Sequence, residues 1–549
     1  MLLHTLRTPN VLPILIILSL VIPNIYWIYM DNSLWLWDQA FYGETTVRLW
    51  WCLTNNPLAW PKQMLMALGA KAPGIVWFGQ FFVPFGQIFG SMEFGLLLSI
   101  IFFQVLTLWF SYDIGREFFP DRPYKALLAP LIVCSAPLFV GMGHEYLVET
   151  MQLCAVTYIW RLSAVSYKMS SMAIITHLLL ATNLAMLAKL SSPIYSLGPG
   201  ILIAYDFIAQ AKFRSKPSSS KPVWNNKFIL TFGVMLTIGT VSWYLFNFRQ
   251  LFAFARLAAS SEIALYYGKI DSYFNKMEFW FRQLQSSLFI AEIFISMILV
   301  IILFLTLKML IVQEILGCSV NRRLRVLSVL AALHVIGVLT VFSLNINESP
   351  RYLLPLLPSI MTLFLFIVSF VQTRVLVVSI GLMCCFQWVI VISHAFGFPR
   401  KTAIHTVSRW VSKYDRASDK KDEIRKLLNF LHNKQADGNS AVFVAVDTEV
   451  VNQNTMDFYA AVEMLNGHDR VVFLRQPYDE KDADREWNRM NHQTFFHVLT
   501  LDAEHQKKPP VYANWVSLSI LEKMEHDRNY YKEDFESKFG IVVYKRILY

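Results

Sequence analysis

Residues 11–30 read VLPILIILSLVIPNIYWIYM, and the chain then passes through a polar, aromatic-rich stretch, WLWDQAFYGETTVRLW at 35–50 and MALGAKAPGIVWFGQ at 66–80. An apolar run of about 20 residues is what a helix needs to cross the hydrocarbon of a bilayer. It is longer than a signal-peptide core and no small-residue cleavage site follows it, so it reads as a retained first helix. Similar runs recur at 92–112, 125–142, 147–163, 171–188, 193–210, 228–246, 288–312, 326–344, 353–372 and 375–396. The expected fold class is mostly α, a polytopic membrane protein of about eleven transmembrane helices.

Composition agrees. The 549 residues are 55% hydrophobic and 16% charged, with a mean hydropathy of +0.41; soluble chains carry about 25% charged residues. A net charge of +10 would suggest nucleic acid in a soluble protein, but no nucleic-acid motif is present and many of the cations lie in short loops between spans. Placing the N-terminus inside gathers Arg116, Arg122 and Lys125, then Arg161 and Lys168, then Lys212, Arg214, Lys216, Lys221 and Lys227, then Arg322, Arg323 and Arg325, and Arg374, on the inner side. That is the bias expected of cytoplasmic loops. The first loop, the 247–287 and 345–352 loops and everything after Phe396 then face outward. KPSSSKP at 216–222 reads as a flexible inner loop. The six cysteines show no metal-ligand spacing and no disulfide framework.

From about Arg400 the composition turns polar. SAVFVAVD, RVVFLRQ, FFHVLTLD and GIVVYKRIL read as short strands, and KKDEIRKLLNFLHNK and MDFYAAVEMLNG as amphipathic helices. The expected organisation is a membrane domain over 1–399, with a first external loop at 31–91, followed by an external α/β domain over 400–549. That domain has no glycine-rich phosphate loop and no nucleophile elbow. It reads as a lid or docking platform rather than a separate catalytic centre.

Several ionisable residues fall at the outer ends of the spans. Asp38 follows the first span and reads either as a helix N-cap near Gln39 or as a base acting on a hydroxyl or amine acceptor. Trp35, Trp37, Phe41 and Tyr42 around it suit an interfacial aromatic belt or a sugar-stacking surface. Glu44 could share a divalent cation with Asp38, and otherwise the metal is left open. In GMGHEYLVETMQL, Glu145 and Glu149 stand four apart, so a continuous helix would put them on one face, beside His144. Glu149 enters an apolar stretch, where an ionisable group is costly unless paired or functional. Lys71, Lys189 and Arg351 are cations on the side that should be poor in them. Together they suit a lipid-linked phosphate, arginine as a bidentate binder and lysine as a point charge. Pro350 and Pro355 flank Arg351 and Tyr352 and fix the entry to a late span.

These pieces, in this order, resemble the GT-C glycosyltransferases, in the branch that includes the protein O-mannosyltransferases and the bacterial lipid A aminoarabinose transferases. The resemblance covers about residues 10–400. It implies Asp38 as the first-loop acid, Lys71 as the lysine of a lysine–proline segment (KAPG here, KPP in the family) and Glu149 as the second acid, commonly Asp in the family. It implies Lys189 as the following lysine, and Arg351 with Tyr352 as the arginine–tyrosine pair of RYLLPLLP. The implied activity is inverting transfer of a sugar from a polyprenyl-phosphate donor to a lipid, glycan or protein acceptor, with no nucleotide cofactor. The implied setting is a bacterial plasma membrane, N-terminus cytoplasmic and C-terminal domain periplasmic. The alternative class is a lipid or solute transporter or flippase. That class predicts mid-span polar residues and repeated halves, and neither stands out here.

Overall fold

The computed structural model describes residues 11–213, 225–260, 264–265, 268–290, 293, 296–302, 322–371, 374–397, 411, 415, 418–434, 441–475, 480–493, 495–507 and 514–547. The KPSSSKP loop and most of the expected 288–312 span lie outside these residues. The chain forms two compact units. One comprises residues 1–29, 68–75 and 97–413, and the other residues 30–67, 76–96 and 414–549.

The first unit is helical. Among the described residues of the whole chain, seven helices are long and apolar enough to cross a membrane: Val11–Met30, Met92–Phe118, Ser171–Ala188, Phe228–Ala258, Arg322–Ser343, Pro350–Ser369 and Arg374–Ala395. The pair Pro123–Cys134 and Pro137–His144, bent by 71°, makes an eighth if it is one broken span. The chain is therefore a multi-pass membrane protein. Two further expected spans are also helices: Val148–Val165, buried along nearly its whole length by its neighbours, and Ser192–Phe213, which is continuous through Pro199. The bend falls at Ala136, whose extended backbone (φ −66°, ψ 124°) is what a following proline imposes. Carbonyls freed there are recovered by glutamines, Gln387 Nε2 donating to Ser135 O at 2.8 Å and Gln104 Nε2 to Phe139 O at 2.8 Å.

One end of this unit is a belt of ion pairs. Arg161 reaches Asp113 at 2.6 Å, Lys168 reaches Glu117 at 2.6 Å, and Arg323 holds both Asp206 oxygens, at 2.9 and 2.6 Å. Three of the cations expected on the inner side thus tie helix ends together. Glu149 begins the helix whose other end carries Arg161, roughly 18 Å away at 1.5 Å per residue.

The second unit contains a five-stranded sheet, β1 (Ala441–Val444), β2 (Val472–Arg475), β3 (His497–Leu501), β4 (Tyr530–Lys532) and β5 (Ile541–Arg546), in the order β2-β1-β3-β5-β4. β1 pairs parallel with β2 and β3, while β5 runs antiparallel to β3 and β4. The four expected strands are present. The short edge strand β4 and the helices Ala483–Asn491 and Ser517–His526 were not expected from the pattern. Met490, Phe495, Val516, Ile520, Met524 and Tyr544 bury one face of the sheet. The helix Gln453–Leu465 packs along Trp37–Asn55 of the first loop. Gly43 makes this approach possible, because a Cβ there would sit 2.8 Å from the Phe458 ring.

Candidate functional site

In the first unit, four of the sequence candidates converge. Leu147 is extended and the helix begins at Val148, so Glu149 lies in its first turn, 1% exposed. Its Oε1 accepts from Lys189 Nζ at 2.8 Å and lies 3.3 Å from Arg351 Nε. Its Oε2 is buried and has no hydrogen-bond partner among the described residues. The side chains of Lys189 and Arg351 remain 23% and 29% exposed. The Tyr352 ring lies between them, 4.1 Å from Lys189 Nζ and 5.8 Å from the Arg351 guanidinium carbon. One carboxylate and two cations leave a local charge of +1, and both cations stay partly exposed.

Each member is fixed by local structure. Lys189 ends the Ser171–Ala188 helix in extended conformation (φ −161°, ψ 141°). The turn after it is held by Gln152, whose Nε2 donates to Ser192 Oγ at 3.1 Å and Ser191 Oγ at 3.3 Å. Gln152 stands three residues after Glu149, on the same helical face. Arg351 and Tyr352 lie in a 3₁₀ turn, Pro350–Leu356. Pro355 has no N–H to give an α-helical bond, so the tighter turn persists until Leu357. The Tyr195 hydroxyl donates to the Tyr352 carbonyl at 2.6 Å and anchors the turn. Gln152 and Tyr195 were missed in the sequence; a glutamine and a tyrosine in apolar helices near Glu149 and Lys189 were the available signal.

Lys71 belongs to the same unit. Its ammonium lies 5.6 Å from the Phe254 ring centre. Its segment is strained and tightly seated: Leu68 and Gly69 both have positive φ, 63° and 46°, and a Cβ on Gly74 would meet Leu187 O at 2.6 Å and Met151 Cε at 2.8 Å. Leu187 and Met151 each stand two residues from Lys189 and Glu149. The Tyr146 hydroxyl donates to Ile75 O at 3.1 Å and closes the other side.

The reading of Glu145 and Glu149 as one helical face is corrected. Glu145 is extended (φ −108°, ψ 117°) and precedes the helix, so the fourfold spacing has no helical meaning there. His144 ends a short 3₁₀ turn, half-buried, with its ring against the Trp27 indole.

Asp38 and Glu44 lie in the second unit, on the helix Trp37–Asn55. The N-cap is Leu36, not Asp38; Asp38 stands in the first turn, where the helix dipole favours a carboxylate. Trp37 before it has φ 37°, a left-handed value that costs a residue with a Cβ and that recurs at functional sites. Glu44 is taken up by arginines, Arg48 at 2.9 Å and Arg470 at 3.9 Å. Beside them, burial and the Glu44 charge push the Asp457 carboxyl up to about 7. Among the described residues, no three His, Cys, Asp or Glu side chains gather as a metal site.

No family description matches the sequence, and no curated protein matches it. Among solved structures, the chain matches ArnT from Cupriavidus metallidurans bound to undecaprenyl phosphate, with a TM-score of 0.54 and 12% identity over 98% of both chains. The apo state of the same protein matches with a TM-score of 0.53 and 11% identity over 97% of both. The chain therefore has an ArnT-like fold over 98% of its length.

Proposed function

We propose that this chain is a membrane glycosyltransferase that moves a sugar from a polyprenyl-phosphate donor to a lipid, glycan or protein acceptor, with inversion at the anomeric carbon. The observation that carries the reading is the cluster of Glu149, Lys189, Arg351 and Tyr352, two water-accessible cations around one buried carboxylate, at the helix end opposite the ion-pair belt. The fold shared with a protein whose structure holds undecaprenyl phosphate supports the donor class.

In this reading Lys189 and Arg351, with Lys71, bind the donor phosphate. They stabilise the charge that builds on it as the bond from the anomeric carbon to the phosphate oxygen breaks, the electron pair leaving with the phosphate. The acceptor oxygen or nitrogen forms the new bond from the opposite face and gives its proton to Asp38. Glu149 orients the acceptor or keeps the two cations in register through Oε1. The donor is assigned to the outer face of the membrane, with the N-terminus cytoplasmic.

The test is transfer by purified protein from a panel of undecaprenyl-phosphate-linked hexoses and pentoses. Wild type should release undecaprenyl phosphate in step with product, and Asp38→Asn should lose at least about 100-fold in rate while remaining folded. Near-wild-type transfer by a folded Asp38→Asn protein removes the base assignment. Transport of an intact lipid-linked sugar with no bond cleavage favours the flippase class instead.

A further inference from the structure

The residues just before Asp38 are gripped by the C-terminal domain at several points within the second unit. Thr455 Oγ1 donates to Trp35 O at 2.9 Å, and Trp35 N–H donates to the Tyr459 hydroxyl at 3.3 Å. The Trp35 indole stacks on Phe458, centroids 5.0 Å apart and planes 18° from parallel. Trp37 Nε1 donates to Asp447 Oδ1 at 2.8 Å.

The gripping residues are themselves braced. Asp447 exchanges two hydrogen bonds with Asn514, its N–H to Oδ1 at 2.7 Å and its carbonyl from Nδ2 at 2.6 Å. The Tyr459 hydroxyl donates to Glu93 Oε1 at 2.9 Å, and Lys421 Nζ lies 2.6 Å from the same oxygen, with Glu93 and Lys421 both buried. Between the two anchors the chain takes its positive φ at Trp37, then turns directly into the helix that carries Asp38. A tryptophan left to itself relaxes out of that conformation. Contacts on the backbone two residues before it and on its own indole hold it there.

We infer that Asp447 and Thr455 are positioning residues for Asp38: the α/β domain acts as a clamp that fixes the start of the Trp37–Asn55 helix and thereby where the Asp38 carboxylate stands. The inference rests on the role proposed for Asp38. It gives the C-terminal domain a task in the reaction without a catalytic group of its own. Bare domain packing predicts the same contacts but no selective effect on the reaction.

The experiment compares two double variants of the full-length protein. Thr455→Val with Asp447→Ala removes both hydrogen bonds; Thr455→Ser with Asp447→Asn keeps an acceptor at Oδ1 and a donor at Oγ. Hydrogen–deuterium exchange is followed at residues 36–40 and in β1 and β3, and transfer is measured with undecaprenyl-phosphate-linked sugars. The removing pair should speed exchange at 36–40 at least tenfold with β1 and β3 unchanged. It should lower kcat at least tenfold with KM for the donor within twofold, and the conservative pair should restore both. Wild-type exchange at 36–40 in the removing pair overturns the clamp, as does a wild-type kcat. If wild type transfers no sugar from any donor, the proposed function fails and the exchange arm alone decides the clamp.

Discussion

Lys189 Nζ donates to Glu149 Oε1 at 2.8 Å across 40 residues of sequence, joining the C-terminal end of one helix to the first turn of another. The lysine is still partly open to water, whereas the carboxylate is not. Under the proposed function, a donor phosphate would meet here a cation already oriented by that hydrogen bond.

Lys189→Ala should therefore lower transfer about 100-fold, the size seen when one preorganised charge stabiliser is deleted. Lys189→Arg keeps the charge and should recover part of it. Binding of undecaprenyl phosphate, followed by native mass spectrometry, should weaken in the alanine variant and less so in the arginine variant. Equal binding by all three places the phosphate elsewhere.

Removing the carboxylate has a different signature. Glu149→Ala leaves Lys189 and Arg351 facing each other around Tyr352, and should destabilise the folded protein by about 2 kcal/mol. That is less than the ~3–5 kcal/mol of a fully buried pair, because water screens both cations. Glu149→Gln keeps the shape and should melt closer to wild type. Thermal unfolding in detergent measures the order, and alanine melting above glutamine contradicts it.

Gly74→Ala tests the seat of Lys71. The added methyl would meet the Leu187 carbonyl at 2.6 Å, and backbone cannot swing aside as a side chain can. We expect a loss of about 1–3 kcal/mol and a KM for the donor raised several-fold, with every charged group intact. Unchanged donor KM would detach the Lys71 segment from donor binding.

Asp457 predicts a pH effect. Its folded carboxyl titrates at about 7, above the ordinary 3.8, because of burial and then the Glu44 charge. The folded state therefore holds a proton that the unfolded chain has lost between those values, and stability falls as pH rises from about 4 to about 7, levelling above that. Asp457→Asn, which can still accept from Phe473 N–H, should flatten that slope and protect the Gln453–Leu465 helix at pH 8. Hydrogen exchange of that helix at pH 5.5 and 8 reads the difference. A slope of opposite sign would mean that Arg48 and Arg470 dominate.

Much of this was legible in the sequence where the signal is local. The apolar runs located the helices, and alternation located four of five strands; β4 has only three residues and sits at a sheet edge, too short to carry a period. The out-of-place cations Lys189 and Arg351 pointed at each other's neighbourhood, and their meeting on Glu149 is a tertiary fact no spacing contains. Glu145 misled because fourfold spacing counts only inside a helix, and this one starts three residues later. The left-handed backbones at Trp37 and Leu68 were invisible, since neither residue type advertises a positive φ.

The pairing of Thr455 with Trp35 spans 420 residues. A ribosome adding ~5–20 residues per second needs roughly 20–80 s to travel that distance. For that interval the newly made first loop has no Phe458 for Trp35 to stack on and no Asp447 for Trp37 to bond to. Assembly of the second unit is thus a late event in biosynthesis, gated by completion of the chain. Nascent chains stalled before Gln453 should present the first-loop tryptophans to quality control, however well their apolar helices have inserted.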